Sequence, residues 1–394
     1  MTRITLDMYQ TMAVAVAALY LGQFIKRKAA FLEKFCIPVP VIGGTLFAVV
    51  ICILYMAGIA EIVYTDTLKD VCMVFFFTTV GFHADLRLLK TGGRVLVKMI
   101  VLVAVIASSQ NALPVGLAVL MRQSPLVGMC AGSVAILGGH GTSAAFAPLL
   151  EARGMSGAFT FCTASATFGL IAGSLIGGPI ANSLIVKKDL IKTAKENPRS
   201  RDEKKEKQGQ LVSYARAAFQ LAVAAGIGTA LTGLLSRTGM VFPQYIGPML
   251  VGCAIGNISS FTGKRECFTR EIEDISSIML ELFLGMALIS LKIWQLFALA
   301  LPLTVLLAAQ TLFMVLFARF IVFPFLGKDY DAAVMTSGVC GFGMGATPNA
   351  LSNMQAVTFR RPPSYTAFLV IPIMGGMFLD IINSFTVLLF LNLI

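Results

Sequence analysis

The chain has 394 residues, of which 57% are apolar and only 13% charged, and its 31 Lys and Arg against 20 Asp and Glu leave a net charge of +11. Soluble domains run at about 45–50% apolar and about 25% charged, so this balance excludes a cytosolic enzyme, a disordered chain and a nucleic-acid binder. With a mean hydropathy of +0.83, it predicts an all-α polytopic membrane protein whose basic excess records which loops stay inside.

A helical crossing needs about 20 mostly apolar residues. In the first half, stretches 8–25, 36–60, 99–121 and 155–186 carry no charge, and spans are predicted at 8–25, 38–60, 70–83, 95–121 and 156–185. The first does not read as a signal peptide, because Lys26-Arg27-Lys28 follows the apolar run instead of preceding it. Segment 125–151, between the fourth and fifth spans, is apolar enough to enter the membrane yet crowded with Gly, Ser and Thr. Residues 187–210 are rich in Lys, Glu and Asp and read as a solvated cytoplasmic linker between the membrane repeats 1–186 and 211–394. The second half repeats the plan, with spans at 212–235, 243–260, 275–291, 295–323 and 364–393 and a broken segment at 330–357.

Charge tests this layout. With residue 1 outside and each broken segment returning to its own side, only Arg3, Lys69, Arg122, Arg153, Arg237 and Lys292 of the 31 basic residues fall outside. That bias toward the inside fits the usual topology rule. It places both ends of the chain outside, brings 125–151 in from outside and brings 330–357 in from inside. Five spans per half turn the second half upside down relative to the first, the inverted repeat of many secondary transporters.

Internal symmetry supports the duplication. Leu137-Gly138-Gly139-His140-Gly141-Thr142-Ser143 aligns with Phe342-Gly343-Met344-Gly345-Ala346-Thr347-Pro348 at an offset of 205. Ser109-Gln110-Asn111 answers Ala309-Gln310-Thr311, and Asn182-Ser183 answers Asn383-Ser384. Gln110 to Asn182 is 72 residues and Gln310 to Asn383 is 73, so the matches keep order and spacing.

Glycines and Pro348 disfavour a continuous helix through either broken segment. Irregular backbone at membrane depth survives only where protein or a water-filled cavity satisfies it. Unwound tips around Gly138–Ser143 and Gly341–Asn349 would therefore offer N–H groups to a carboxylate and carbonyls to a cation. Neither 123–152 nor 329–359 contains Lys or Arg, which leaves anion recognition to helix ends and hydroxyls. Gly169, Gly173 and Gly177, by contrast, fit small-residue helix packing, and Gly341, Gly343 and Gly345 lack the preceding strand a nucleotide loop requires.

Asp380 stands in an otherwise uncharged apolar run with Asn383 three residues on, and a carboxylate at depth is a functional candidate. It could ligand a cation, take a proton or bond a neighbouring helix. Glu281 is a weaker candidate, near a span end. Gln110 and Gln310 either cross-link helices or touch ligand. His140 reads as a donor to a carboxylate or as a satisfied core histidine. The eight cysteines form no CxxC pair, and two histidines are too few for a dedicated metal centre.

Gly138-Gly139-His140-Gly141-Thr142 and Cys340-Gly341-Phe342-Gly343-Met344-Gly345-Ala346-Thr347-Pro348, running on to Asn353-Met354-Gln355-Ala356, resemble the two signature segments of the sodium/glutamate symporter family. The likeness extends to Phe76-Phe77-Thr78-Thr79-Val80-Gly81, Gly92-Gly93-Arg94, Gly177-Gly178-Pro179 and Lys328-Asp329-Tyr330-Asp331-Ala332-Ala333, so that nearly the whole chain takes part. The resemblance implies Na+-coupled uptake of glutamate across a bacterial inner membrane, with no cofactor beyond the co-transported Na+. It further implies two inverted five-helix repeats, each with a re-entrant hairpin, in a homodimer moving like an elevator. The expected substrate site comprises Gly138, Gly139, His140, Gly141, Thr142, Ser143, Gly343, Gly345, Ala346 and Thr347, with Gln110 and Gln310. Thr347, Asn349, Asp380 and Asn383 offer hard oxygens for Na+.

Rival readings are a Na+- or H+-coupled carrier or exchanger of another dicarboxylate, a channel, and an intramembrane enzyme. A serine hydrolase would need its nucleophile in a Gly-containing turn with a histidine base. Ser337-Gly338 follows Met335-Thr336, so the Gly-x-Ser-Gly pattern is missing.

Overall fold

The computed structural model describes residues 2–29, 32, 37–84, 88–193, 211–237, 242–262, 269–294, 300–359 and 361–394. Residues 194–210 of the charged linker, the first residues of the predicted span 295–323, Cys36 and Cys267 lie outside the described residues.

Helices form on the apolar runs. In the first half these are α1 (Met8–Lys28), α2 (Val39–Met56), α3 (Thr67–His83), α4 (Leu88–Leu120), α5 (Pro125–Cys130), α6 (Gly139–Ala152) and α7 (Ala158–Lys187). The second half carries α8 (Leu211–Ser236), α9 (Ile246–Thr262), α10 (Thr269–Ile289), α11 (Ala300–Leu326), α12 (Tyr330–Met344), α13 (Thr347–Thr358) and α14 (Tyr365–Leu393). Seven of them, α1, α2, α4, α7, α8, α11 and α14, are long and apolar enough to cross a membrane. Local chemistry sets the ends. Asp7 caps α1 by accepting from Gln10 N (2.8 Å), Gln10 Oε1 returns the bond, and Lys26, Arg27 and Lys28 sit on the negative end of the helix dipole.

The predicted span 38–60 is cut short. Helix α2 stops at Met56, and Ala60–Val63 forms a strand, β2, paired in parallel with β1 (Thr2–Thr5). Gly58, with φ +69, turns the chain after the helix.

The helices pack in two groups. In the first, α3 lies against α9 and α10, α8 against α9, and α1 against α2 and α10. In the second, α7 packs on α6, α12 and α13, α4 on α5 and α14, and α11 on both α4 and α7. Each group takes the same elements from both halves, first to third spans in one, fourth span onward in the other. The main contacts between groups run from α6 to α10 and from α3 to the π-helical turn Met374–Phe378 inside α14. Tyr245 bridges them: it is fully buried, stacks on Phe77 (centroids 3.9 Å), meets Phe146 edge-on (6.0 Å) and lies 3.3 Å from Ser384 Oγ through its hydroxyl.

Both broken segments are hairpins. In the second, α12 and α13 lie antiparallel, with Asn353 Nδ2 donating to Ser337 O (3.3 Å) and Gly341 backed onto the Ala350 backbone. Its open end is tied by Tyr330 Oη donating to Pro362 O (2.6 Å) and by Ser364 and Thr366 donating to Asp331 (2.7 and 3.0 Å). In the first, α5 descends beside α4, where Gly128 sits on the Pro114 backbone, and Cys130 meets Cys162 of α7. Residues 131–138 then form irregular turns, and α6 returns along α7.

Candidate functional site

The two tips meet. Gly139 has φ +63, the left-handed backbone that suits glycine, and a Cβ placed there would lie 3.5 Å from Gly345 O of the opposite hairpin. Gly138 is pressed against Asn383 Nδ2 and the Thr142 side chain (2.5 Å each from a built Cβ), so no side chain fits. Helix α6 starts at Gly139 and α13 at Thr347, with Pro348 in its first turn. Two helix N-termini from different halves thus face one space, each with free N–H groups and the positive end of a dipole.

The second break falls inside the expected tip 341–349, whereas the first lies mostly ahead of the expected 138–143. Gly139–Ser143 opens α6 and Gly341–Met344 ends α12 as helix, while the breaks are 131–138 and Gly345–Ala346. Packing explains why Gly341 and Gly343 stay helical: they face the Ala350 backbone and the Met314 side chain at distances that leave no room for a Cβ, and this close fit offsets their poor helix propensity.

A cavity of about 240 Å³ opens at the tips. Of the expected site residues, Gly138, Gly139, His140, Gly141, Thr142, Gly345, Ala346, Thr347 and Asp380 line it. The others lie behind. Gln110 Nε2 donates to Gly343 O (2.6 Å), and Gln310 Nε2 donates to Gln110 O (2.7 Å) and Ala131 O (2.9 Å), so both amides brace helices. Ser143 Oγ donates to Gly139 O (2.7 Å), and Asn349 Nδ2 donates to Ser174 Oγ (2.6 Å) and Leu170 O (3.2 Å). Asn383 Nδ2 donates to Ser133 O (3.1 Å). His140 is buried with Nε2 at 3.0 Å from Thr167 Oγ1.

The opposite wall of the cavity is apolar: Phe76, Phe77, Leu280 and Leu284, from α3 and α10 of the first helix group. Hydropathy alone did not single these out, although Phe76-Phe77 carried part of the family likeness. Every polar side chain in the lining comes from the second group, and no Lys or Arg is among the lining residues. Glu281, next to Leu280, is exposed on α10.

A wider vestibule of about 500 Å³ lies further along α6, whose Ala144, Pro148 and Glu151 line it. Glu61, Asp66, Lys69 and Lys292 supply charge there, with Lys69 Nζ 2.8 Å from Asp66 Oδ1. Burial pushes the Tyr64 phenol up to about 12, so it stays neutral on this wall.

The family model described as the sodium/glutamate symporter matches residues 4–362. The sodium/glutamate symporter of Escherichia coli (strain K12) is 38% identical over 395 residues, covering 98% of each chain. That of Haemophilus influenzae is 34% identical over 392 residues, covering 96% of each. Among solved structures, a sodium proton antiporter from Methanocaldococcus jannaschii matches 97% of this chain and 96% of its own at 16% identity and a TM-score of 0.43, a likeness too slight to bear on mechanism. Matched along nearly its whole length by the family model and by curated relatives, this multi-pass membrane protein belongs to the sodium/glutamate symporter family.

Proposed function

We propose that this secondary transporter carries L-glutamate inward together with Na+. The observation that carries the reading is the pair of opposed helix N-termini at one cavity. Unpaired N–H groups at the start of α6 and α13 suit carboxylates, because the dipoles offset the lost hydration without a buried basic side chain. Thr142 and Thr347 add hydroxyl donors, and His140, held by Thr167, keeps the α6 terminus polar. Asp380 and Thr347 offer hard oxygens at the same wall for Na+, whose charge balances the substrate. A symporter of this kind is a carrier and not an enzyme.

The two helix groups suggest how the solute crosses. One group presents all the polar lining and the other a smooth apolar wall, so the first can slide past the second with the solute attached. In this elevator reading the group of α1–α3 and α8–α10 stays fixed and forms the homodimer. The shared element order, set beside the charge bias, supports an inverted repeat with two re-entrant hairpins. The same bias supports external termini and a cytoplasmic linker at a bacterial inner membrane.

Uptake of labelled glutamate into vesicles holding the purified chain tests the proposal. Accumulation should require an inward Na+ gradient. Equal uptake without the gradient removes coupling, and saturation by malate or aspartate that glutamate cannot compete away reassigns the substrate.

A further inference from the structure

Both helix groups contribute to the wider vestibule. Ile51 and Tyr55 of α2, strand β2, Lys69 of α3 and Ala287 of α10 come from the first group, with the residues that follow α10. Ala144, Pro148 and Glu151 of α6 and Thr160 of α7 come from the second. At about 500 Å³ the vestibule is twice the size of the tip cavity, at about 240 Å³. Tyr55 and Trp294 stack in its lining, with ring centroids 4.1 Å apart and planes 7° from parallel. Trp294 is the only tryptophan of the chain.

The lining holds the carboxylates of Glu61, Asp66 and Glu151 and the ammonium groups of Lys69 and Lys292. Lys69 is taken up by Asp66 (2.8 Å), and Glu151 Oε1 accepts from Phe159 N (3.3 Å). Glu61 and Lys292 have no ion-pair partner among the described residues. Carboxylates in excess repel a solute of net negative charge, so this lining is not suited to gathering glutamate. A zwitterion has no net charge and uses both signs, its ammonium on Glu61 and its carboxylate on Lys292. Ile51, Pro148, Ala287 and Leu291 make much of the remaining surface apolar. Beside the stacked pair, that surface suits an aromatic side chain, which packs by edge or by offset stacking.

We infer that the vestibule binds an amino acid with an aromatic side chain, at a site separate from the cavity between the hairpin tips. Such a ligand touches α6 of one group and α10 of the other, and so wedges the seam that must slide. It slows turnover without competing for the tips. Binding stands on the lining alone, while the effect on transport rests on the sliding reading.

The full chain in lipid vesicles is titrated with L-phenylalanine, following Trp294 emission and equilibrium binding of the labelled amino acid. Both signals should saturate together. N-acetyl-L-phenylalanine lacks the ammonium and phenethylamine the carboxylate, and each should bind about tenfold more weakly for the lost charge-assisted bond. Lys292→Gln and Glu61→Gln should weaken L-phenylalanine to the same degree, with glutamate uptake in its absence unchanged. Saturating L-phenylalanine should lower the maximal rate of Na+-driven glutamate uptake several-fold and leave the half-saturating glutamate concentration in place. Binding that does not saturate, or an affinity unchanged in both variants, overturns the site. Displacement of bound glutamate by L-phenylalanine would put the ligand at the hairpin tips and overturn it equally. Saturable binding with uptake at full rate would instead overturn the inhibition and the sliding reading beneath it, not the site.

Discussion

At Gly139 the demand on the sequence is a single backbone angle. Its φ of +63 costs an L side chain about 1–2 kcal/mol, while the space around it is ordinary. Gly139→Ala should therefore lower stability by about 1 kcal/mol and weaken glutamate binding, measured by melting and by equilibrium binding. Wild-type affinity in this variant would show that the α6 terminus is not the anion site. Asp380→Asn tests the cation side: the half-saturating Na+ concentration should rise about tenfold, and an unchanged value removes Asp380 as a ligand. Lining residues such as Thr142, Thr347 and Asp380 were legible in sequence because polar groups are conspicuous in an apolar run. The roles of Gln110, Gln310 and Asn349 were not, since a mid-span amide looks the same whether it holds a ligand or a neighbouring carbonyl.

Among elements, the interruptions were readable from glycine and proline: the second, Gly345–Ala346, falls inside the expected 341–349, while the first, 131–138, lies mostly ahead of the expected 138–143. Glycine marks close approach as well as unwinding, and only the packing of Gly341 on Ala350 tells these apart. Strand β2 was hidden for a different reason: Ala60, Ile62 and Val63 continue the hydropathy of α2, and its pairing with β1 is a contact between distant residues. The seam between helix groups was not visible at all in the sequence. Tyr245 spans that seam, and Tyr245→Phe removes its bond to Ser384 while keeping the ring stack on Phe77. Turnover in glutamate counterflow should rise, with affinity held within about twofold, at a stability cost of about 1 kcal/mol. A bifunctional maleimide joining Ala144→Cys on α6 to Ala287→Cys on α10, both lining the vestibule, should stop transport yet leave glutamate binding intact. Full transport by the cross-linked protein would exclude sliding between the groups.

Over the whole molecule, membrane character and the family were open to sequence reading, because composition and motifs are properties of the chain. The bias of basic residues predicts that tags on either end are reached by protease from outside the cell and that a tag in 194–210 is reached only from within; the reverse pattern would invert the topology. The grouping of helices by position, three and three against the rest, makes the cavity a seam with one polar and one greasy wall. Whether that seam holds glutamate between the hairpin tips is settled most directly by a density map of the protein with Na+ and glutamate bound. The account predicts a carboxylate within hydrogen-bond distance of the backbone N–H groups of His140 and Gly141 at the start of α6 and of Thr347 at the start of α13, the Gly139 N–H being bonded to Ala135 O. Glutamate found in the wider vestibule beside Lys69 and Lys292, with the tips unoccupied, would contradict it.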